Sequence, residues 1–261
     1  MSYFEPEKRT SDPSTVGWGT LQNGIQWFNM TTGLKKYWYN NTIYICGTVT
    51  PEEPPSGTYD FTSGWEDGDI LDGGLWSGTV NAPVAQASVK HTGSYAMASY
   101  YSTNYIYKTF YGKSDCYLRA YVRFTVIPPN DGNEFVVAKL SKSDASTIYA
   151  DIILGKYNGY VRWNIQYMDV SLQGSNYSTL ATASSNTWYS VELNYKSGSG
   201  DGEVHFYVDG TELTDITHTG LTTGYTGIER LEIGNLWSAF TSTIYVDDVV
   251  LNSSYVGTVV A

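Results

Sequence analysis

The chain has 261 residues, with 24 tyrosines, 8 tryptophans, 26 glycines and only 16% charged side chains, and its formal net charge is −11. That length accommodates one sizeable β domain with a small appendage, and the acidic balance repels phosphate backbones, which argues against nucleic acid as a partner. Nowhere do about 18 apolar residues run together, and the start of the chain (MSYFEPEKR) has no apolar segment, so neither a membrane span nor a cleaved leader is expected.

Residues 1–16 are polar, contain proline and show no periodicity, and they read as an extended arm. An aromatic meander follows over Gly24–Asn29, Leu34–Tyr39 and Ile43–Ile45, with Thr31-Thr32-Gly33 and Asn40-Asn41 supplying turns. Fewer than about 40 residues cannot bury enough apolar surface to stand alone. Trp27, Tyr37, Trp38 and Tyr39 are therefore expected at an interface, with another structural protein or between copies of the chain. Residues 48–57 hold three of the eight prolines and two glutamates, which favours a semi-rigid spacer. The expected organisation is an N-terminal arm and hairpin over 1–47, a linker over 48–57 and one β domain over 58–261. Cys46 and Cys116 fall in different modules and read as free thiols.

The β domain opens at Tyr59-Asp60-Phe61 and continues through an acidic, glycine-rich stretch, Ser63–Gly78. Strands are expected at Tyr95–Ser99, Tyr105–Phe110, Cys116–Val126, Glu134–Leu140, Tyr149–Leu154 and Tyr160–Tyr167. Trp188–Lys196 alternates, with Val191, Leu193 and Tyr195 on one face and Glu192, Asn194 and Lys196 on the other. A Ser/Gly/Asp turn at 197–202 leads into Glu203–Gly210, whose Asp209-Gly210 pair favours a tight turn with positive φ. Leu231–Gly234 and Ser242–Leu251 complete the set. Short strands at this spacing suit two antiparallel sheets packed face to face.

Two strands have a polar face of unusual content. In Cys116–Val126 the apolar set leaves Tyr117, Arg119, Tyr121 and Arg123 opposite it, and in Tyr160–Tyr167 it leaves Tyr160, Arg162, Asn164 and Gln166. Tyrosine stacks on the apolar face of a pyranose, and arginine donates paired hydrogen bonds to carboxylates or hydroxyls. Arg119, Tyr121, Arg123, Tyr160, Arg162, Asn164 and Gln166 are thus the candidate glycan-binding residues. If the two strands are neighbours, the rows form one surface selective for acidic or sulfated sugars. The plainer alternative is a solvated sheet face with ordinary cross-strand pairs.

The order of Trp188 after a polar loop, the hairpin Tyr207-Val208-Asp209-Gly210 and a last strand carrying Tyr245–Leu251 (YVDDVVL) resembles the concanavalin A-like lectin/glucanase superfamily, including its laminin-G-like members, over residues 58–257. The resemblance implies an all-β jelly-roll sandwich whose first strand lies beside its last and whose concave sheet binds glycans. It also implies a structural Ca²⁺, for which Asp60, Asp247 and Asp248 would supply hard oxygen ligands. The Glu-x-Asp-x-x-Glu pattern of laminarinase-like members and the Gln-Ile-His of alginate-lyase-like members are both absent. Binding to cell-surface or extracellular glycans without turnover is the expected function, and no catalytic residue is assigned. The alternative is a polysaccharide lyase or glycoside hydrolase on the same fold, with His205 as a candidate base.

The run Gly24-Ile25-Gln26-Trp27-Phe28-Asn29-Met30-Thr31-Thr32-Gly33-Leu34-Lys35-Lys36-Tyr37-Trp38-Tyr39-Asn40 resembles a short module recurrent in bacteriophage tail-fibre and other virion proteins. That likeness implies a virion-associated fibre or decoration protein. Its partners would be its own virion proteins or further copies, with a trimer as the expected oligomer, and the alternative location is extracellular or at a cell surface.

Overall fold

The computed structural model describes the backbone of residues 7–9, 26–29, 34–39 and 42–48, and residues 60–223 and 227–258 in full. Contacts divide the chain into two units, Met1–Gly57 and Thr58–Val259. In the first unit, β1 (Glu7–Arg9), β2 (Gln26–Asn29), β3 (Leu34–Tyr39) and β4 (Thr42–Thr48) form one sheet in that order. β2, β3 and β4 pair antiparallel as successive strands, and β1 joins β2 in parallel, so the polar arm contributes a strand of its own. Trp27 lies on β2, and Tyr37, Trp38 and Tyr39 lie on β3. Their side chains, and the linker beyond Thr48, fall outside the described residues.

The second unit comprises β5 (Phe61–Ser63), β6 (Gly78–Val80), β7 (Val84–Gln86), β8 (Ala96–Ser99), β9 (Asn104–Lys113), β10 (Asp115–Phe124), β11 (Glu134–Ser141), β12 (Ile148–Tyr157), β13 (Tyr160–Asp169), β14 (Ser171–Gly174), β15 (Trp188–Lys196), β16 (Ser199–Val208), β17 (Thr211–Glu212), β18 (His218–Thr222), β19 (Ile228–Ser238) and β20 (Ile244–Asn252). The described residues contain no helix. One sheet of nine strands runs β17-β16-β15-β10-β20-β8-β7, with β18 also on β16 and β5 also on β20. The other, of seven, runs β14-β13-β12-β11-β19-β9-β6. The pairings in both are antiparallel.

Period-2 patterning builds the interior. Cys116, Leu118, Ala120, Val122 and Phe124 of β10 face Trp163 and Ile165 of β13 through one apolar layer, with Trp163 centred 6.0 Å from Phe124 and 5.9 Å from Phe206. Truncating an aromatic in such a core costs roughly 3–5 kcal/mol. The first strand does lie beside the last, with Phe61 opposite Leu251. Asp209 and Gly210 both take positive φ, 50° and 75°, as a two-residue hairpin turn requires, and Asn158-Gly159 closes the β12/β13 hairpin in the same way.

The expected half-buried character of β15 needs correction on one face. Glu192 and Asn194, placed toward water by alternation, are only 2% exposed. The segment after β20 folds back over Glu192, whose carboxylate accepts hydrogen bonds from the backbone N–H of Val256 (2.7 Å) and Gly257 (2.9 Å), while the Asn194 amide donates to Asp115 Oδ1 (2.8 Å) and the Cys116 carbonyl (3.2 Å). Alternation states which side of a strand a residue is on, and the return of the tail decided what covers that side.

Candidate functional site

The two Arg/Tyr rows do not form one surface. β10 belongs to the nine-stranded sheet and β13 to the seven-stranded sheet. Because their apolar sides meet in the common core, their polar sides face in opposite directions. The β10 row is also largely covered. Arg119 is 3% exposed and donates to the carbonyls of Gly257 (3.2 Å) and Asp248 (3.3 Å), which makes it an anchor for the chain's own tail. Tyr121 is 5% exposed and stacks on His91 with ring centroids 3.7 Å apart. Tyr117 and Arg123 remain half-exposed, Arg123 over the Tyr245 ring at 5.5 Å.

The three aspartates do not form a metal site. Asp60 pairs with Lys113 at 2.8 Å. With Phe61 opposite Leu251, Asp60 lies at the far end of β20 from Asp247. Asp247 is fully buried, and its carboxylate accepts the backbone N–H groups of His91, Thr92 and Asp248. Burial and the neighbouring Asp248 charge push its carboxyl up to about 7, against the opposing pull of those donors. Asp248 binds His91 Nδ1 (2.8 Å) and the Thr92 hydroxyl. These contacts fasten the loop around His91 to the last strand. Among the described residues, no group of three or more His, Cys, Asp or Glu is placed to hold a metal ion. His205, the candidate base, sits in the nine-stranded sheet between Glu212 (2.7 Å) and Glu203 (3.3 Å).

The outer face of the seven-stranded sheet is different. Tyr107, Glu232, Lys139, Asp151 and Gln166 are successive cross-strand neighbours on β9, β19, β11, β12 and β13. They make one row that spans about 19 Å at about 4.8 Å per strand step. A second row runs Trp237, Val136, Ile153, Asn164, and a third runs Glu134, Gly155, Arg162. Tyr160, Arg162, Asn164 and Gln166 therefore do lie on one face, and they share it with residues from four other strands.

The middle of this face is an ion-pair chain. Glu232, 1% exposed, lies 2.8 Å from Arg230 Nε and 3.0 Å from Lys139 Nζ, and the Arg230 guanidinium sits 3.8 Å over the Tyr107 ring. Asp151 is 2% exposed and accepts the Gln166 backbone N–H at 3.1 Å. Burial pushes its carboxyl up to about 7, and the Gln166 N–H and Lys139 oppose that rise. At the β13 end, Tyr177 crosses over Gly155, where a Cβ would stand 2.4 Å from its hydroxyl, and donates to Glu134 at 2.8 Å. Burial raises the Tyr177 pKa, and the Glu134 hydrogen bond adds to the rise. Asn164 is buried and accepts from the Ser175 hydroxyl.

Aromatic rings rim the face. Trp237 is 44% exposed at one end, and Tyr160 (59%) and Tyr157 (50%) are exposed at the other. Trp237 is turned outward by an irregularity in β19. The register shifts so that Ala138 faces Ile233 and Val136 faces Trp237, and Gly234 takes φ 133° with a would-be Cβ only 2.7 Å from Ser99 Oγ. Sequence reasoning missed Lys139, Asp151, Glu232 and Trp237. Alternation marks the first three as outward, but only pairing brings them together. Arg162 lies over the Tyr160 ring at 5.0 Å and, among the described residues, has no carboxylate partner.

An all-β jelly-roll sandwich of two antiparallel sheets is thus the class that the fold defines. No family model matches the chain, and no curated protein matches it. Among solved structures, an endo-β-1,4-glucuronan lyase from the fungus Trichoderma reesei superposes with a TM-score of 0.54 at 12% identity, over 76% of this chain and 96% of that one. A cellulose induced protein, Cip1, superposes with a TM-score of 0.54 at 16% identity, over 76% and 100%. The binding domain of Paraclostridial Mosquitocidal Protein 1 gives 0.50 at 14% identity, over 74% and 48%. At such identities the likeness is one of fold.

Proposed function

We propose that the outer face of the seven-stranded sheet binds an extended, acidic glycan. The observation that carries this reading is the convergence on one face of a polar row, Tyr107 to Gln166, with exposed aromatic rings at both ends and an arginine, Arg162, that has no carboxylate partner among the described residues. Rings stack on pyranose faces and a free guanidinium edge takes a carboxylate in two hydrogen bonds. A five-strand span of about 19 Å suits several sugar units in a chain rather than a single monosaccharide. The glucuronan lyase among the solved structures with this fold supports the choice of an acidic polysaccharide. Each contact is worth on the order of 1 kcal/mol, so affinity per site is weak and gains from avidity.

In this reading the domain belongs to a virion-associated fibre or decoration protein, with the N-terminal sheet as its attachment unit and other virion proteins or further copies as partners. Electron microscopy of the native source tests that part: absence of the chain from any particle sinks it. The binding claim is tested with Arg162→Ala, which is expected to weaken retention of the protein on immobilised acidic polysaccharide several-fold while moving the melting temperature by no more than about two degrees. Unchanged retention would remove the central residue of the reading.

A second reading, cleavage of the bound chain, is favoured by Asp151, a buried carboxyl pushed up to about 7 beside Lys139, since a group poised near neutrality can transfer protons. In-gel clearing of polysaccharide by the wild type and its loss in Asp151→Asn would establish cleavage. Binding without clearing would leave the lectin-like reading.

A further inference from the structure

The second unit contains four arginines, and each has a distinct environment. Arg230 is committed to Glu232, and Arg119 is buried under the tail. Arg162 and Arg123 share another arrangement: each guanidinium lies over a tyrosine ring, Tyr160 at 5.0 Å and Tyr245 at 5.5 Å, and neither has a carboxylate partner among the described residues. They stand on opposite outer faces of the sandwich. Around Arg123 the register places Trp188 of β15 on one side and Tyr245 of β20 on the other, so Trp-Arg-Tyr form one cross-strand row. All three side chains are half-exposed. Nη2 of Arg123 donates to Asn186 Oδ1 at 3.1 Å, which orients the fork, and His91, stacked on Tyr121, abuts the Trp188 ring at 5.7 Å.

We infer that this Trp188/Arg123/Tyr245 row is a second binding site for a carboxylate- or sulfate-bearing sugar, so that one domain holds two glycan segments back to back. The inference rests on the same chemistry as the first face, but on different residues. An arginine with no carboxylate partner among the described residues, set between two half-exposed rings, offers a bidentate anion contact and a stacking platform on either side. Three adjacent strands span about 10 Å, room for about two sugar units. The site at the seven-stranded sheet takes an extended chain, and this one takes a short or terminal segment. A domain that binds on both faces bridges glycan chains.

The two sites carry separate reporters, because Trp188 belongs to the second and Trp237 to the first. A ¹⁵N-labelled protein is titrated with a glucuronate tetrasaccharide, and in parallel with a sulfated analogue, while the indole N–H signals are followed after assignment with Trp188→Phe and Trp237→Phe. The expected result is that both signals shift, that Arg123→Ala weakens the Trp188 response at least tenfold and leaves the Trp237 response intact, and that Arg162→Ala does not weaken the Trp188 response. Arg123→Lys, which keeps the charge but not the fork, is expected to recover only part of the affinity. A shift of Trp237 alone overturns the second site and leaves the first reading standing, and a shift of Trp188 alone does the reverse. No shift of either with both sugars overturns both. A response of Trp188 that Arg123→Ala does not change also overturns the assignment, provided the variant's melting temperature matches the wild type.

Discussion

Asp151 and Asp247 are two carboxyls that the fold has taken out of water, and burial pushes each up to about 7 in spite of the backbone N–H groups they accept. A carboxyl whose folded pKa exceeds its unfolded value of about 4 stabilises the native state fully below that unfolded value. The contribution is lost as pH rises toward 7, because the native protein must then hold a buried charge that the unfolded chain exposes. Melting temperature measured from pH 4 to pH 8 is therefore expected to fall across the interval for these groups. Asp151→Asn, which cannot ionise, is expected to flatten part of that slope and to exceed the wild type near pH 8. An identical pH profile for the variant would show that Asp151 does not titrate in this window.

Two irregular elements matter more than their lengths suggest. The tail after β20 is held through Glu192, which accepts two backbone N–H groups, through Arg119 on Gly257, and through Tyr255 against Tyr207 with centroids 4.9 Å apart. Glu192→Ala removes both acceptors and leaves Arg119 buried beside an unsatisfied strap, so a loss of about 2–4 kcal/mol in urea-unfolding stability is expected. Tyr177 depends on the bare backbone at Gly155. Gly155→Ala is expected to displace the ring, break its hydrogen bond to Glu134 and weaken glycan binding at the Arg162 end, with a smaller change in overall stability. If the variant binds as the wild type does, the Tyr177 crossing plays no part in the face.

At the scale of the molecule, the distribution of charge is as informative as its sum. In a chain with a net charge of −11, two arginines, one on each face of the sandwich, have no carboxylate partner among the described residues. Calcium has no comparable support, because Asp60 is tied to Lys113 and the oxygens of Asp247 and Asp248 are engaged by the loop at His91 and Thr92. Neither EDTA nor added Ca²⁺ is expected to move the melting temperature. A clear rise with Ca²⁺ would require a ligand set other than these three aspartates. Limited proteolysis is expected to cut between Glu52 and Gly57, releasing a protected second unit, and an uncut chain would contradict the spacer reading.

The sequence by itself determined the longer strands, the apolar side of β10 and β13, and the hairpin at Asp209-Gly210, since these depend on period-2 alternation and on local φ preferences, whereas the short strands β1, β6, β7, β14, β17 and β18 are too brief to show a period. It also placed Tyr160, Arg162, Asn164 and Gln166 together, because they alternate along one strand. It could not say that β10 and β13 belong to different sheets, because strand order is set by non-local pairing and leaves no trace in periodicity. For the same reason, only the tertiary structure joined Tyr107, Glu232, Lys139, Asp151 and Gln166 into a row, since each comes from a different strand. Only the fold returned the tail over Arg119 and turned Trp237 outward at the bulge around Gly234, because both outcomes depend on what the rest of the chain brings alongside.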